Sequence, residues 1–137
     1  MKISIFCFLS TLILITSAVA ETDDKSALID FSQKILDEKG NPVPDDPKLI
    51  GADGNFFTLK AAAVRALFNK YDDEPNLKAE DKLLRGNLAL RIAETKTPIS
   101  LSLEDRLLIK QLIGKNFGPL VVARTVPILD PSIKSGK

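Results

Sequence analysis

The sequence predicts a mainly α, small four-helix domain with a short N-terminal β-hairpin. Three observations carry this. Leucine, isoleucine and alanine recur at helical spacing over three separate stretches between Leu59 and Ile113. The segment Leu101–Leu129 holds the densest apolar content beyond the N-terminus and is broken by Gly118-Pro119. Near the start, the turn residues Gly40-Asn41-Pro42 separate two apolar runs.

The first twenty residues form a segment apart. Met1-Lys2 is a minimal charged start, Ile3–Ile15 is mostly apolar, and Thr16–Ala20 is small and ends Ala-x-Ala before the charged Glu21–Lys25. This order reads as a signal peptide over residues 1–20, cleaved after Ala20, with 21–137 as a single exported domain. The competing reading is an uncleaved anchor, but five residues of Ile3–Ala20 are Ser or Thr, and acids rather than bases follow. The cleaved chain would keep no stable membrane span, and its place would be periplasmic or secreted.

Residues 27–36 fit both helical spacing and alternation. The Asp37–Pro42 turn that follows favours a hairpin, with strands near Ser32–Leu36 and Val43, over a short helix. Pro42–Pro47 carries three prolines and is an extended connection. Lys48–Ile50 is a candidate strand and Asp53-Gly54 a tight turn. Thr58 is placed to cap a helix whose face is Leu59, Ala63, Val64, Leu67, Phe68 and Tyr71, ending near Lys70 or Tyr71. A second helix is expected from Lys78 or Ala79 to about Glu94, with a buried stripe of Leu84, Leu88 and Ile92 widened by Leu83 and Leu90. Thr95–Pro98 breaks the pattern, and Ile99–Leu101 reads as extended. Ser102, with Asp105 three residues on, opens a third helix faced by Leu103, Leu107, Leu108, Leu112 and Ile113. Gly118 reads as its C-terminal signal, and Pro119 suits the first turn of a last helix over Leu120–Val126, which Pro127 ends or kinks.

Composition excludes several chemistries. Histidine is absent, and the one cysteine, Cys7, lies in the apolar leader. The commonest general base, the commonest zinc ligand and the Ser-His and Cys-His pairs are therefore missing, as is any disulfide framework. Without Lys2 the chain carries 18 basic and 18 acidic residues, a balance that suits neither nucleic acid nor an anionic membrane surface. No cofactor is expected.

Each motif that suggests a site has a plainer explanation. Asp53-Gly54-Asn55 resembles part of a calcium loop, but Val64 and Arg65 stand where the closing glutamate belongs. The clusters Asp45-Asp46 and Asp72-Asp73-Glu74 read as solvated acids in proline-containing connections. Gly114–Gly118 has glycines and a lysine, yet Asn116 follows Lys115 where a phosphate loop needs Ser or Thr, and a helix precedes it. A helix corner explains it, leaving the amides of Leu120 and Val121, where the last helix begins, as a place where an anion could rest. Ser100 and Ser102 lack an activating partner. The corner residues Lys115, Asn116, Phe117, Gly118 and Pro119 remain as a candidate interaction surface.

The stretches Phe57-Thr-Leu-Lys-Ala-Ala-Ala-Val-Arg-Ala-Leu67 and Leu112-Ile-Gly-Lys-Asn-Phe-Gly-Pro-Leu-Val-Val122 resemble a group of short, mostly uncharacterised tailed-phage and prophage proteins. The resemblance spans about residues 36–129. It implies a phage-encoded product acting in the cell envelope and transfers no catalytic residue. The function expected is an exported, non-enzymatic protein-interaction domain, with an unidentified protein partner and no nucleic acid. The alternatives are a carrier of a small apolar ligand or lipid, and a hydrolase that uses carboxylates alone.

Overall fold

The computed structural model describes residues 26–45 and 55–131. The expected signal peptide over 1–20, the strand at Lys48–Ile50, the Asp53-Gly54 turn, Asp46 and the tail after Pro131 lie outside the described residues. The elements run β1 (Ala27–Ile29), α1 (Leu59–Phe68), α2 (Ala79–Glu94), β2 (Ile99–Leu101), α3 (Leu103–Asn116) and α4 (Pro119–Leu129). This is the mainly α, four-helix domain that the sequence predicts. α1 packs against both α2 and α3, and α3 packs against α4.

β1 and β2 pair antiparallel, with Ala27 opposite Leu101, Leu28 opposite Ser100 and Ile29 opposite Ile99. Alternation decides the faces: Ile29 and Leu101 are buried, while Leu28 and Ser100 point outward. The expected reversal between residues 35 and 43 is present. Val43 N–H donates to Ile35 O at 2.9 Å, and Asp37 N–H to Asn41 O at 2.8 Å. Asp37 Oδ1 accepts from the amides of Lys39 and Asn41, both at 2.8 Å, and Gly40 takes the left-handed φ of 84° that the turn requires. The reversal is held by isolated bridges rather than long strands, because a third segment shares its hydrogen bonds. Ile35 N–H donates to Phe57 O and Phe57 N–H to Val43 O, each at 2.8 Å, so residues 35, 43 and 57 close a backbone triad.

α1 starts where expected. Thr58 Oγ1 accepts from Ala61 N–H at 3.2 Å, and the amides of Leu59 and Lys60 donate to Gln33 O and Phe31 O. The amides a helix start leaves unpaired are thus supplied by the preceding loop. Its buried side is Leu59, Ala62, Ala63, Ala66 and Leu67, and Ala89 of α2 is equally buried. Small side chains let backbones pack closely, and that selects which side of each helix faces in. Phe68, expected on the buried face, is 57% exposed, and α1 ends there rather than at Lys70 or Tyr71.

The same selection corrects the stripe expected on α2. Leu88 and Ile92 are buried as predicted, but Leu83, Leu84 and Leu90 are 64%, 65% and 51% exposed. Arg85 and Ala89 take the inward positions instead. On α3, Leu112 and Ile113 are buried as expected, whereas Leu103 and Leu107 are partly exposed and Arg106 and Ile109 turn inward. Arg106 is accommodated because its Nη1 donates to Leu129 O at 3.0 Å, a cation on the last carbonyls of α4. Lys60 does the same for α2, its ammonium donating to the carbonyls of Ala93 and Thr95.

Ser102 caps α3, its Oγ accepting from Asp105 N–H at 3.1 Å. α3 ends at Asn116, and Gly118 is not a left-handed terminator. Its backbone is extended (φ −72°, ψ 172°) and it stands at the N-cap of α4, with Pro119 in the first turn as predicted. Pro127 does not end α4, which runs on to Leu129. The core gathers Phe31, Ile35, Leu59, Ile92, Ile109 and Leu112 from the loops and three helices. Each such buried side chain contributes about 1.5–3 kcal/mol.

Candidate functional site

A cleft of about 480 Å³ lies between the end of α1, the 69–78 connection and the first turns of α2. Leu67, Phe68, Tyr71, Pro75 and Leu77 give it an apolar lining, and Lys70, Glu74, Lys82 and Arg85 supply charge. A hollow of similar volume beside Asp45, Phe56 and Arg65 is more open.

The cleft has a braced frame. Tyr71 Oη lies 2.7 Å from Ala66 O and 3.2 Å from Leu112 O, so one buried hydroxyl serves carbonyls of both α1 and α3. Arg85 Nη1 meets Glu74 Oε2 at 2.8 Å, Lys115 Nζ meets Glu74 Oε1 at 3.1 Å, and the same ammonium meets Asp73 Oδ2 at 2.7 Å. Lys115 Nζ also sits 5.4 Å from the centre of the Tyr71 ring. One connection is thereby tied to α2 and to α3.

The electrostatics follow from these contacts. The Arg85 guanidinium holds the Glu74 carboxyl below its usual range; burial opposes it, and Lys115 adds to the lowering. Asp73 and then Glu74 raise the Lys115 ammonium. Burial raises the Tyr71 phenol. Glu74 is therefore kept ionised, the direction opposite to that of a general acid, which has to hold its proton near neutral pH. Asp73 and Glu74 share one ammonium, and the charge they bring is neutralised by Lys115 and Arg85. Among the described residues no group of three or more His, Cys, Asp or Glu residues could hold a metal ion, and no helix is long and apolar enough to cross a membrane.

The five corner residues expected as one surface face different ways. Lys115 turns to Asp73 and Glu74. Asn116 Oδ1 accepts from Asn69 Nδ2 at the cleft rim. Phe117 is half-buried with its ring 5.5 Å from that of Phe57, while Gly118 and Pro119 are exposed. The acid clusters, read as solvated, are engaged: besides Glu74 and Asp73, Asp45 pairs with Arg65 at 2.7 Å. Phe68, Tyr71, Leu77 and Arg85 went unrecognised as a site. One signal for it was present, since Arg85 stands three residues before Leu88 and seven before Ile92, on their side of the helix, where a cation needs an acidic partner. No family model matches the chain, and neither a curated protein nor a solved structure matches it.

Proposed function

We propose that this chain is an exported, non-enzymatic domain that binds another protein, a component of the cell envelope, through the cleft beside Phe68. The observation that carries this is the exposure of Phe68 next to a cleft whose polar frame is already braced by Glu74, Arg85 and Lys115. Aromatic side chains with arginine close by dominate protein interfaces, and a frame ordered beforehand lowers the entropy lost on docking. Lys70 and Lys82 on the lining favour a partner segment that pairs an apolar anchor with an acidic neighbour. Export rests on the Ala18-Val19-Ala20 ending of the apolar leader. The likeness of Phe57–Leu67 and Leu112–Val122 to tailed-phage and prophage proteins supplies the setting, a phage-encoded product acting in the envelope.

The test is capture from envelope extract with the wild-type protein and with Phe68→Asp. A polypeptide retained by the first and lost with the second supports the reading, and equal retention by both contradicts it. The cleft volume also lies within the range of small-ligand pockets, about 300–1,000 Å³. That favours a small apolar ligand as the second reading. Organic extraction and mass spectrometry of the purified protein separate the two, because a stoichiometric lipid or other apolar molecule would displace the protein-partner reading.

A further inference from the structure

Lys82, Arg85 and Gly86 stand at i, i+3 and i+4 on α2, so they share one face of the helix, and all three line the cleft. Gly86 is half-buried, yet a Cβ built on it meets nothing within 4 Å. The space a side chain would take is therefore open cleft, bare down to the backbone of α2. Glycine inside a helix is unfavourable relative to alanine, and no neighbour among the described residues requires it here.

The charges of the same cleft are unbalanced. Among the described residues lining it, Glu74 is the one acid, and Arg85 and Lys115 already hold it. Asp73 is held by Lys115, while Asp72 and Asp81 are exposed and stand outside the lining. Lys70 and Lys82 line the cleft with no acid in ion-pair reach among the described residues.

We infer that Gly86 decides which polypeptide the cleft accepts: a short acidic segment whose main chain lies against α2 at Gly86, with carboxylates towards Lys70 and Lys82 and an apolar side chain towards Phe68 and Leu77. The inference rests on the reading of the cleft as a protein-binding site. Glycine serves where a ligand must come close to the backbone, and charges across an interface select the partner of opposite sign. Lys70 lies beyond the end of α1 and Lys82 lies on α2, so the two cations come from different walls. Two separate cations suit a segment with more than one carboxylate, which a single-headed lipid acid lacks. A side chain at position 86 would fill the cleft without touching the fold. Binding and stability are therefore set against each other at this one residue.

A random-peptide display library, selected on the purified protein and counter-selected on Phe68→Asp, tests it. The peptides kept are expected to carry an apolar residue beside two or more acids. The leading peptide, synthesised with a fluorophore, then reports affinity by polarisation. One added methyl in a fitted site is worth roughly tenfold, so Gly86→Ala should bind the peptide about tenfold more weakly and Gly86→Leu more weakly still. Both variants should melt at or above the wild-type temperature, because alanine and leucine suit a helix better than glycine. Gly114→Ala, exposed on α3 outside the cleft lining, also gains a methyl in open space and should leave the affinity unchanged. Lys70→Glu together with Lys82→Glu should weaken binding and reduce its dependence on salt. Full affinity in Gly86→Leu, or selected peptides without acids, would overturn this inference while leaving the cleft as a protein-binding site. A library that yields no peptide dependent on Phe68 would overturn both.

Discussion

Arg85 Nη1 lies 2.8 Å from Glu74 Oε2, and this contact ties the 69–78 connection to α2 at a point where both side chains are mostly shielded from solvent. Removing one partner leaves the other shielded and without its main counter-charge. Arg85→Ala and Glu74→Gln are each expected to lower stability by about 1–2 kcal/mol, between the values for exposed and fully buried pairs. The double variant should cost less than the sum of the two. Urea denaturation followed by circular dichroism measures all three.

The same pair contributes to the acid limb of stability, together with Asp30 and Asp37, whose carboxyls are lowered by the hydrogen bonds they accept. Glu74 has a folded pKa below its unfolded value, so its contribution is complete above the unfolded value of about 4.3 and fades as pH falls through the lowered folded one. Stability should therefore decline below about pH 4, and Glu74→Gln should flatten that part of the profile. A profile with the same acid slope in the variant would exclude Glu74 as its source.

Tyr71 offers an unusually clean probe, because it is the only tyrosine and the chain has no tryptophan. Burial raises its pKa, and the phenol donates within a pair of helix carbonyls. Its stabilising effect is complete below the unfolded value of about 10 and is lost as pH rises through the folded one. Phenolate absorbance should appear only above about pH 10 in the folded protein and shift downward on unfolding. Tyr71→Phe should cost about 1 kcal/mol, the net worth of one hydrogen bond.

The inward and outward leucines give opposite predictions. Ile92→Ala and Leu112→Ala should each cost about 2–5 kcal/mol, because both side chains are fully buried. Leu83→Ala and Leu90→Ala should change the stability of the monomer by less than about 0.5 kcal/mol. Gly86→Ala should stabilise the monomer by about 0.5–1 kcal/mol, since the added methyl meets nothing in the chain. Thermal unfolding measures these changes.

These positions also mark what the sequence makes legible. Helix ends were readable from chemistry that acts locally: Thr58 and Ser102 accept the amides expected of caps, and Pro119 opens α4. Helix faces were less readable, because α2 offers two sets of apolar residues at helical spacing. Periodicity ranks the wide leucine stripe first, yet only Leu88 and Ile92 of it turn inward, with Arg85 and Ala89 beside them against the close-packed Ala62, Ala63 and Ala66 of α1. A buried arginine is unfavourable until its partner is known, and the partners of Arg85 and Arg106 lie 11 and 23 residues away. The cleft was hidden for the same reason. Its frame joins residues from three parts of the chain, and Lys115 meets Glu74 across 41 positions.

The proposed function turns on what touches Phe68. A photo-activatable phenylalanine analogue placed at position 68, and another at Gln111 as reference, would be irradiated in envelope extract. The account predicts a discrete polypeptide adduct at position 68, absent at position 111 and reduced by Lys70→Glu together with Lys82→Glu. An adduct to lipid alone, or the same adducts at both positions, would contradict it.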